Sequence, residues 1–383
     1  MLQTKDLEIE CVTATAGDIA VINLKSARLQ SWSRFWRTPE HPRIAETIVE
    51  HEQLTAQYVG ELAALDRLET LANELARTDP EAAQTSLVAA QVACATHRFS
   101  DARVSLAQAV ALGTQADITD RLALTLDQAT GEDLYGLLAV RRKRAAQAGH
   151  WEELVPLGAL LADLGEFAEA DRTYQRALRE YPDVSPFPVA WACFQLGALW
   201  GELVPEPESS RAAQWYRKAI DYLPCYVKAR VHLAEIYSSC SRYGDAETLL
   251  LPVIDSGDPE VVWRLADVLN ATRRFAEAEA QLQAARRGFE ALLDKHLLAF
   301  ADHGAEFYAG SGGNPARAFE LASLNLANRP TLRAFEQAYA TATAADEAHA
   351  ASDILAAARS RWGATVAFRV SSLGALQSEG AIT

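Results

Sequence analysis

A helical-hairpin pattern repeats along this chain with a period of about 34 residues, which marks an array of stacked units rather than one closed core. The clearest unit starts at Trp151 and reads WEELVPLGALLADLGEFAEADRTYQRALREYPD. Leu154, Leu157, Gly158 and Leu161 stand at i, i+3, i+4 and i+7, an apolar stripe with one small notch, as the buried face of a helix requires. Gly165 breaks that helix. A second carries Ala170, Tyr174 and Ala177 on one face and stops at Pro182, since proline cannot continue the hydrogen-bond ladder. At 383 residues the chain exceeds a single compact core and has room for many such units.

The same grammar recurs in both directions. Residues 190–224 supply Leu196, Gly197, Trp200, Ala212, Tyr216, Ala219 and Pro224, with the turn lengthened around LVPEPESS. Residues 227–259 supply Leu233, Ala234, Tyr237, Ala246, Leu250 and Val253, and 259–288 supply Leu265, Ala266, Leu269, Ala278, Leu282 and Ala285. Upstream, Ala90, Ala93, Ala102, Leu106 and Ala109 match, with His97 and Arg98 where a turn glycine would stand; downstream, Ala318, Ala322 and Pro330 follow the loop GSGGNP. Fainter helix pairs are readable at 44–80, 117–148 and 331–362.

The order leucine-glycine, aromatic or leucine, turn glycine, alanine, aromatic, alanine, proline resembles the tetratricopeptide repeat (TPR), and the unit at 151 fills every slot. The resemblance implies an all-α, right-handed superhelical solenoid of antiparallel helix pairs. Five segments follow: a non-repeat N-terminal arm at 1–43, TPR-like pairs at 44–150, the clear array at 151–288, further TPR-like pairs at 289–365, and a tail at 366–383. In the arm, Leu7, Ile9 and Cys11 alternate with glutamates and IAVINL is a short apolar run, so strands or an extended arm are expected, followed by a short helix bearing Trp32, Phe35 and Trp36. The segment FRVSSLGALQSEGAIT loses the helical period and reads as a frayed tail.

A helix pair cannot bury its apolar face alone, so neighbours stack and leave a long concave surface. In the family resembled, that groove is lined by the first helix of each pair and holds a protein or peptide. Carried onto this sequence, the groove stripe falls on Trp191, Phe194 and Gln195, then Lys228, His232 and Glu235, then Trp263, Arg264, Asp267 and Asn270, with His303 and Phe307 beyond. Gln195, Lys228 and His232 stand where a terminal-carboxylate clamp would have asparagine, lysine and arginine. Val155 and Ala159 occupy the first helix's clamp slots, so a chaperone-tail clamp is not expected.

The formal charge of −15 argues against broad contact with nucleic-acid phosphates and favours a basic partner. Five widely spaced cysteines without CxxC suggest neither a disulfide framework nor a zinc finger. The acidic start and the lack of a long apolar run lead us to expect a cytoplasmic protein, neither secreted nor membrane-spanning.

No sequence frame for catalysis is present, so a non-catalytic scaffold or adaptor without cofactor is expected. His296, His303 and Glu306 form the one metal-ligand constellation, i, i+7 setting both histidines near one helix face; isolated histidines at such spacing are more often surface or hydrogen-bonded groups. Asp302 and Glu306 occupy slots that the repeat gives to apolar and small residues. His349 and Asp353 read as a local surface pair. The basic run Arg141, Arg142, Lys143 and Arg144 reads as a solvated helix end against the alternative of an acidic or RNA partner. Two rival functions are a self-associating component that uses the N-terminal arm, in a homo-oligomer or filling its own groove, and a metal-handling protein or enzyme built on the histidines.

Overall fold

The computed structural model describes residues 12–39, 41, 43–147 and 151–380. Its helices run α1 (Gly17–Arg37), α2 (Ile44–Leu54), α3 (Ala63–Thr78), α4 (Ala83–Ala95), α5 (Phe99–Ala111), α6 (Ala116–Thr130) and α7 (Leu134–Ala145). The middle holds α8 (Leu154–Leu164), α9 (Phe167–Arg179), α10 (Pro186–Ala198), α11 (Ser209–Tyr222), α12 (Val227–Ser239) and α13 (Tyr243–Leu250). Then come α14 (Pro259–Ala271), α15 (Phe275–Ala309), α16 (Pro315–Asn328), α17 (Leu332–Ala344), α18 (Ala348–Trp362), α19 (Val366–Val370) and α20 (Ser372–Gly380). No strand occurs among the described residues.

Most of the described turns within a helix pair are made the same way. Residues 97, 131 and 165, 34 apart, all have positive φ, and Ser241, Arg273 and Asp346 do the same in later pairs. A left-handed residue ends a helix by turning the chain back on itself, which glycine does at least cost. His97 at φ 56° takes on that role where the sequence lacks the glycine.

The notches are equally regular. A Cβ at Gly158 would lie 2.6 Å from the Tyr174 ring, and one at Gly197 would lie 2.5 Å from the Tyr216 ring. Each glycine therefore lets an aromatic ring of the second helix rest on first-helix backbone. In the second case the longer turn around 199–208 is absorbed by a π-helical extension of α10, Leu199–Leu203.

The array closes on itself along its axis. Asp66 bonds His296, His97 O accepts from Asn328, and Thr130 O accepts from Arg361, at separations of 230, 231 and 231 residues. Successive contacts advance by one repeat on both strands of the superhelix, so one superhelical turn takes about 230 residues and the next turn lies against it.

Three expectations are corrected. IAVINL lies inside α1, whose Ala20, Leu24 and Phe35 are buried, so it is helix and not strand; Leu7, Ile9 and Cys11 lie outside the described residues. The segment after 365 is not frayed through 380: α19 sets Ala367 against Gly165, and Phe368 and Leu373 are buried beside Trp362. In the basic run, Arg141 is buried, Arg142 pairs with Glu169 at 2.7 Å, and Arg144 reaches Asp117 and Glu153 at 3.0 Å. Arg141 and Arg144 are therefore packed, because neighbouring helices bring carboxylates to them, while Arg142 and Lys143 remain exposed.

Candidate functional site: an ionic inner wall

The first helices of successive pairs lie side by side, and their shared face carries a chain of ionisable groups. Glu202, at the end of the α10 extension, binds His232 Nδ1 of α12 at 2.7 Å, and its Oε1 also accepts from Tyr216 OH at 3.0 Å. Glu235, one turn along α12, pairs with Arg264 of α14. Arg264 is shared further, at 3.5 Å with Glu260 and 2.7 Å with Glu306 of α15, while His303 Nδ1 lies 3.6 Å from Glu260. Finally Arg333 of α17 donates to Glu202 Oε2 at 3.0 Å. Glu202 and Arg333 are 131 residues apart, a little over half a superhelical turn, so this pair reaches across the axis.

Burial and neighbouring charge compete along the wall. Burial works to raise Glu202, yet His232, Arg333 and Tyr216 outweigh it and hold the carboxyl at about 2. Burial works to lower His232, and Glu202, Glu235 and Glu260 overcome it, raising the imidazole to about 9. At neutral pH this histidine is therefore a cation. Glu235 is nonetheless raised, by burial and by Glu260 and Glu306, against the pull of Arg264 and His232. Asp258 is raised by burial and then by Glu260, and burial also raises Asp267.

The expected groove residues divide into two sets. Lys228, His232, Glu235, Arg264 and Asp267 are half-buried on the wall, Asn270 is exposed, and His303 joins them through Glu260. Gln195 is half-buried and accepts from Tyr174 OH at 3.4 Å. Trp191 is half-buried and stacks on Phe194 at 5.7 Å. Phe194, Trp263 and Phe307 are interior, at 7%, 2% and 0% exposure, so they are not surface anchors. Trp263 packs between Phe289 and Phe307 under the Arg264 guanidinium. A first helix packs on its own partner and on the next pair, so a residue off the leucine-alanine stripe can still be core.

The metal constellation is taken apart. His296 has φ −134° and ψ 52°, a break in α15 that removes the shared helix face with His303. Its Nε2 lies 2.9 Å from Asp66, and Glu306 is engaged by Arg264. No cluster of three or more His, Cys, Asp or Glu suited to a metal ion occurs among the described residues. An open cleft of about 700 Å³, lined by Phe167, Trp200, Val204 and Glu208, lies beside the turns and shares no residue with the ionic wall.

Sequence reasoning missed Glu202, Glu260 and Arg333 as members of the wall. Glu306 did leave a signal, a carboxylate in a slot the repeat gives to a small residue. Arg333 left none, because its partner is set by superhelical closure.

Left-handed turns 34 residues apart and glycine notches filled by tyrosine rings decide the architecture. The fold is of the tetratricopeptide kind. No family model and no curated protein matches the chain. Among solved structures it is similar to the Cut9-Hcn1 hetero-tetramer of the APC/C, with TM-score 0.42 and 15% identity over 88% of this chain; it spans 63% of that one. Yeast Tom70 is similar at TM-score 0.36 and 12% identity, covering 90% of this chain and 85% of Tom70. The C-terminal part of a TPR repeat-containing protein from Cytophaga hutchinsonii is similar at TM-score 0.31 and 14% identity, covering 77% and 98%. The TPR-like array contains no helix long and apolar enough to cross a membrane among its described residues.

Proposed function

We propose that this protein is a non-catalytic scaffold that holds a basic segment of a protein or peptide along the ionic inner wall. The observation that carries this reading is geometric: Arg264 answers three carboxylates at once, Glu235, Glu260 and Glu306, leaving carboxylate charge that one guanidinium does not neutralise. A lysine or arginine from a partner would relieve it, forming charge-assisted bonds in a partly desolvated groove. The half-buried Trp191 and the exposed Asn270 would flank such a segment.

Fluorescently labelled arginine-rich and glutamate-rich peptides of equal length, titrated against the full chain at low and moderate salt, test the reading. Binding of the basic peptide only, weakened about tenfold or more by Glu235→Gln with Glu306→Gln, is expected. Equal binding of both peptides, or binding of the basic one untouched by the double substitution, would overturn it.

A further inference from the structure

We infer that the protein forms a two-fold homodimer through the outer face of α1, independently of what the inner wall binds. Helix α1 is apolar on two sides. Ala20, Leu24 and Phe35 face the core, while Ile19, Ile22, Leu29 and Trp36 stand 53%, 63%, 58% and 54% exposed. At 100° per residue those four fall within about 100° of helix circumference, a continuous stripe. Ile22, Leu29 and Trp36 recur every seven residues, the spacing by which one helix seats along another. A helix at the end of a stacked array ordinarily turns a polar face outward, whereas this one sets four large apolar side chains among its exposed polar ones.

The occupant follows from the stripe's self-complementarity. Set two copies of α1 antiparallel about a dyad between Ala27 and Arg28, and the two central large side chains each meet a small one. Ile22 then faces Ser33 of the second copy, and Leu29 faces Ser26, both serines being exposed. Ile19 faces Trp36, and Trp36 is already braced by stacking on Trp32 at 5.8 Å. At each end the exposed Asp18 faces the exposed Arg37, which bonds Ser33 of its own helix, at 3.0 Å to O and 3.2 Å to Oγ. Every contact occurs twice, as an isologous interface requires, and opposite charges meet at both ends.

Sedimentation of the full chain from about 1 to 100 µM tests this. The mass should rise from 41.7 kDa towards twice that value, and Ile22→Glu with Leu29→Glu, both on the exposed face, should leave a folded monomer. Asp18→Arg alone and Arg37→Asp alone should each weaken dimerisation, and the two together should restore it, which a merely sticky surface would not do. A wild type that stays monomeric throughout would overturn the inference. So would a monomer that dimerises only after removal of residues 2–11, which would assign the stripe to a cover from the chain itself, or a dimer indifferent to the charge reversals.

Discussion

Glu202 shows how one side chain can join parts of the chain that are far apart. Its oxygens receive Tyr216 from its own pair, His232 from the next, and Arg333 from the far side of the superhelix. The pH dependence follows from His232. Its folded pKa of about 9 exceeds the ordinary 6.5, so its contribution to stability is full below pH 6.5 and is lost as pH rises towards 9. The thermal midpoint of the wild type should therefore fall between pH 6.5 and 9, and His232→Gln should flatten that slope; an equal fall in the variant would contradict the pairing. His97 works in the opposite sense: burial, with Arg329, lowers it to about 4, so it opposes folding as pH drops from 6.5 towards 4. The wall residues His232, Glu235, Arg264 and His303 were legible in the sequence because first-helix slots recur with the repeat. Which of their neighbours answer them was not, since Glu202 lies in an irregular turn and Arg333 four pairs away.

Between elements, the helix pairs are joined by notch and ring. Helix interiors ordinarily favour alanine over glycine by about 1 kcal/mol. At Gly158 the sign reverses, because a methyl group would sit 2.6 Å from a Tyr174 ring that is itself fully buried. Gly158→Ala and Gly197→Ala should each cost about 1–3 kcal/mol, the range for forced overpacking, measured by denaturant unfolding. Gly244→Ala, where a Cβ would meet nothing within 4 Å, is the control expected to be neutral or stabilising. The N-terminal elements are fastened by charge instead. Glu52, fully buried in α2, binds Trp32 Nε1 at 2.7 Å and Arg67 at 2.8 Å, with Arg28 at 3.7 Å. This divides the aromatic trio of α1: Phe35 is core, Trp32 is half-buried on Glu52, and Trp36 remains outside. Local periodicity placed all three on one helix without saying which side would be covered.

Across the whole molecule, polar contacts join the turns of the superhelix. Asp66 with Lys295 and His296, Asn328 with His97, and Arg361 with Thr130 and Gly131 lie along one seam. Repeat arrays are stabilised chiefly between neighbours, so loosening this seam should open the coil without unfolding the helices. Asp66→Asn combined with Arg361→Ala should increase the radius of gyration in small-angle scattering while the far-ultraviolet circular dichroism stays unchanged. A loss of helical signal would instead mean that the seam is needed for folding.

By itself the sequence determined the helix pairs, their period, the notch glycines and the acidic character of the surface, because each rests on contacts within one unit or between adjacent units. The tertiary structure alone decided that Trp263 and Phe307 are core, that Arg333 closes on Glu202, that residues after 365 dock on Gly165, and that α1 is left with an uncovered apolar face. The burial of Trp263 and Phe307 depends on how adjacent helices pack, and the long-range closures on the small rotation from one pair to the next, summed over about 230 residues; no local pattern encodes either.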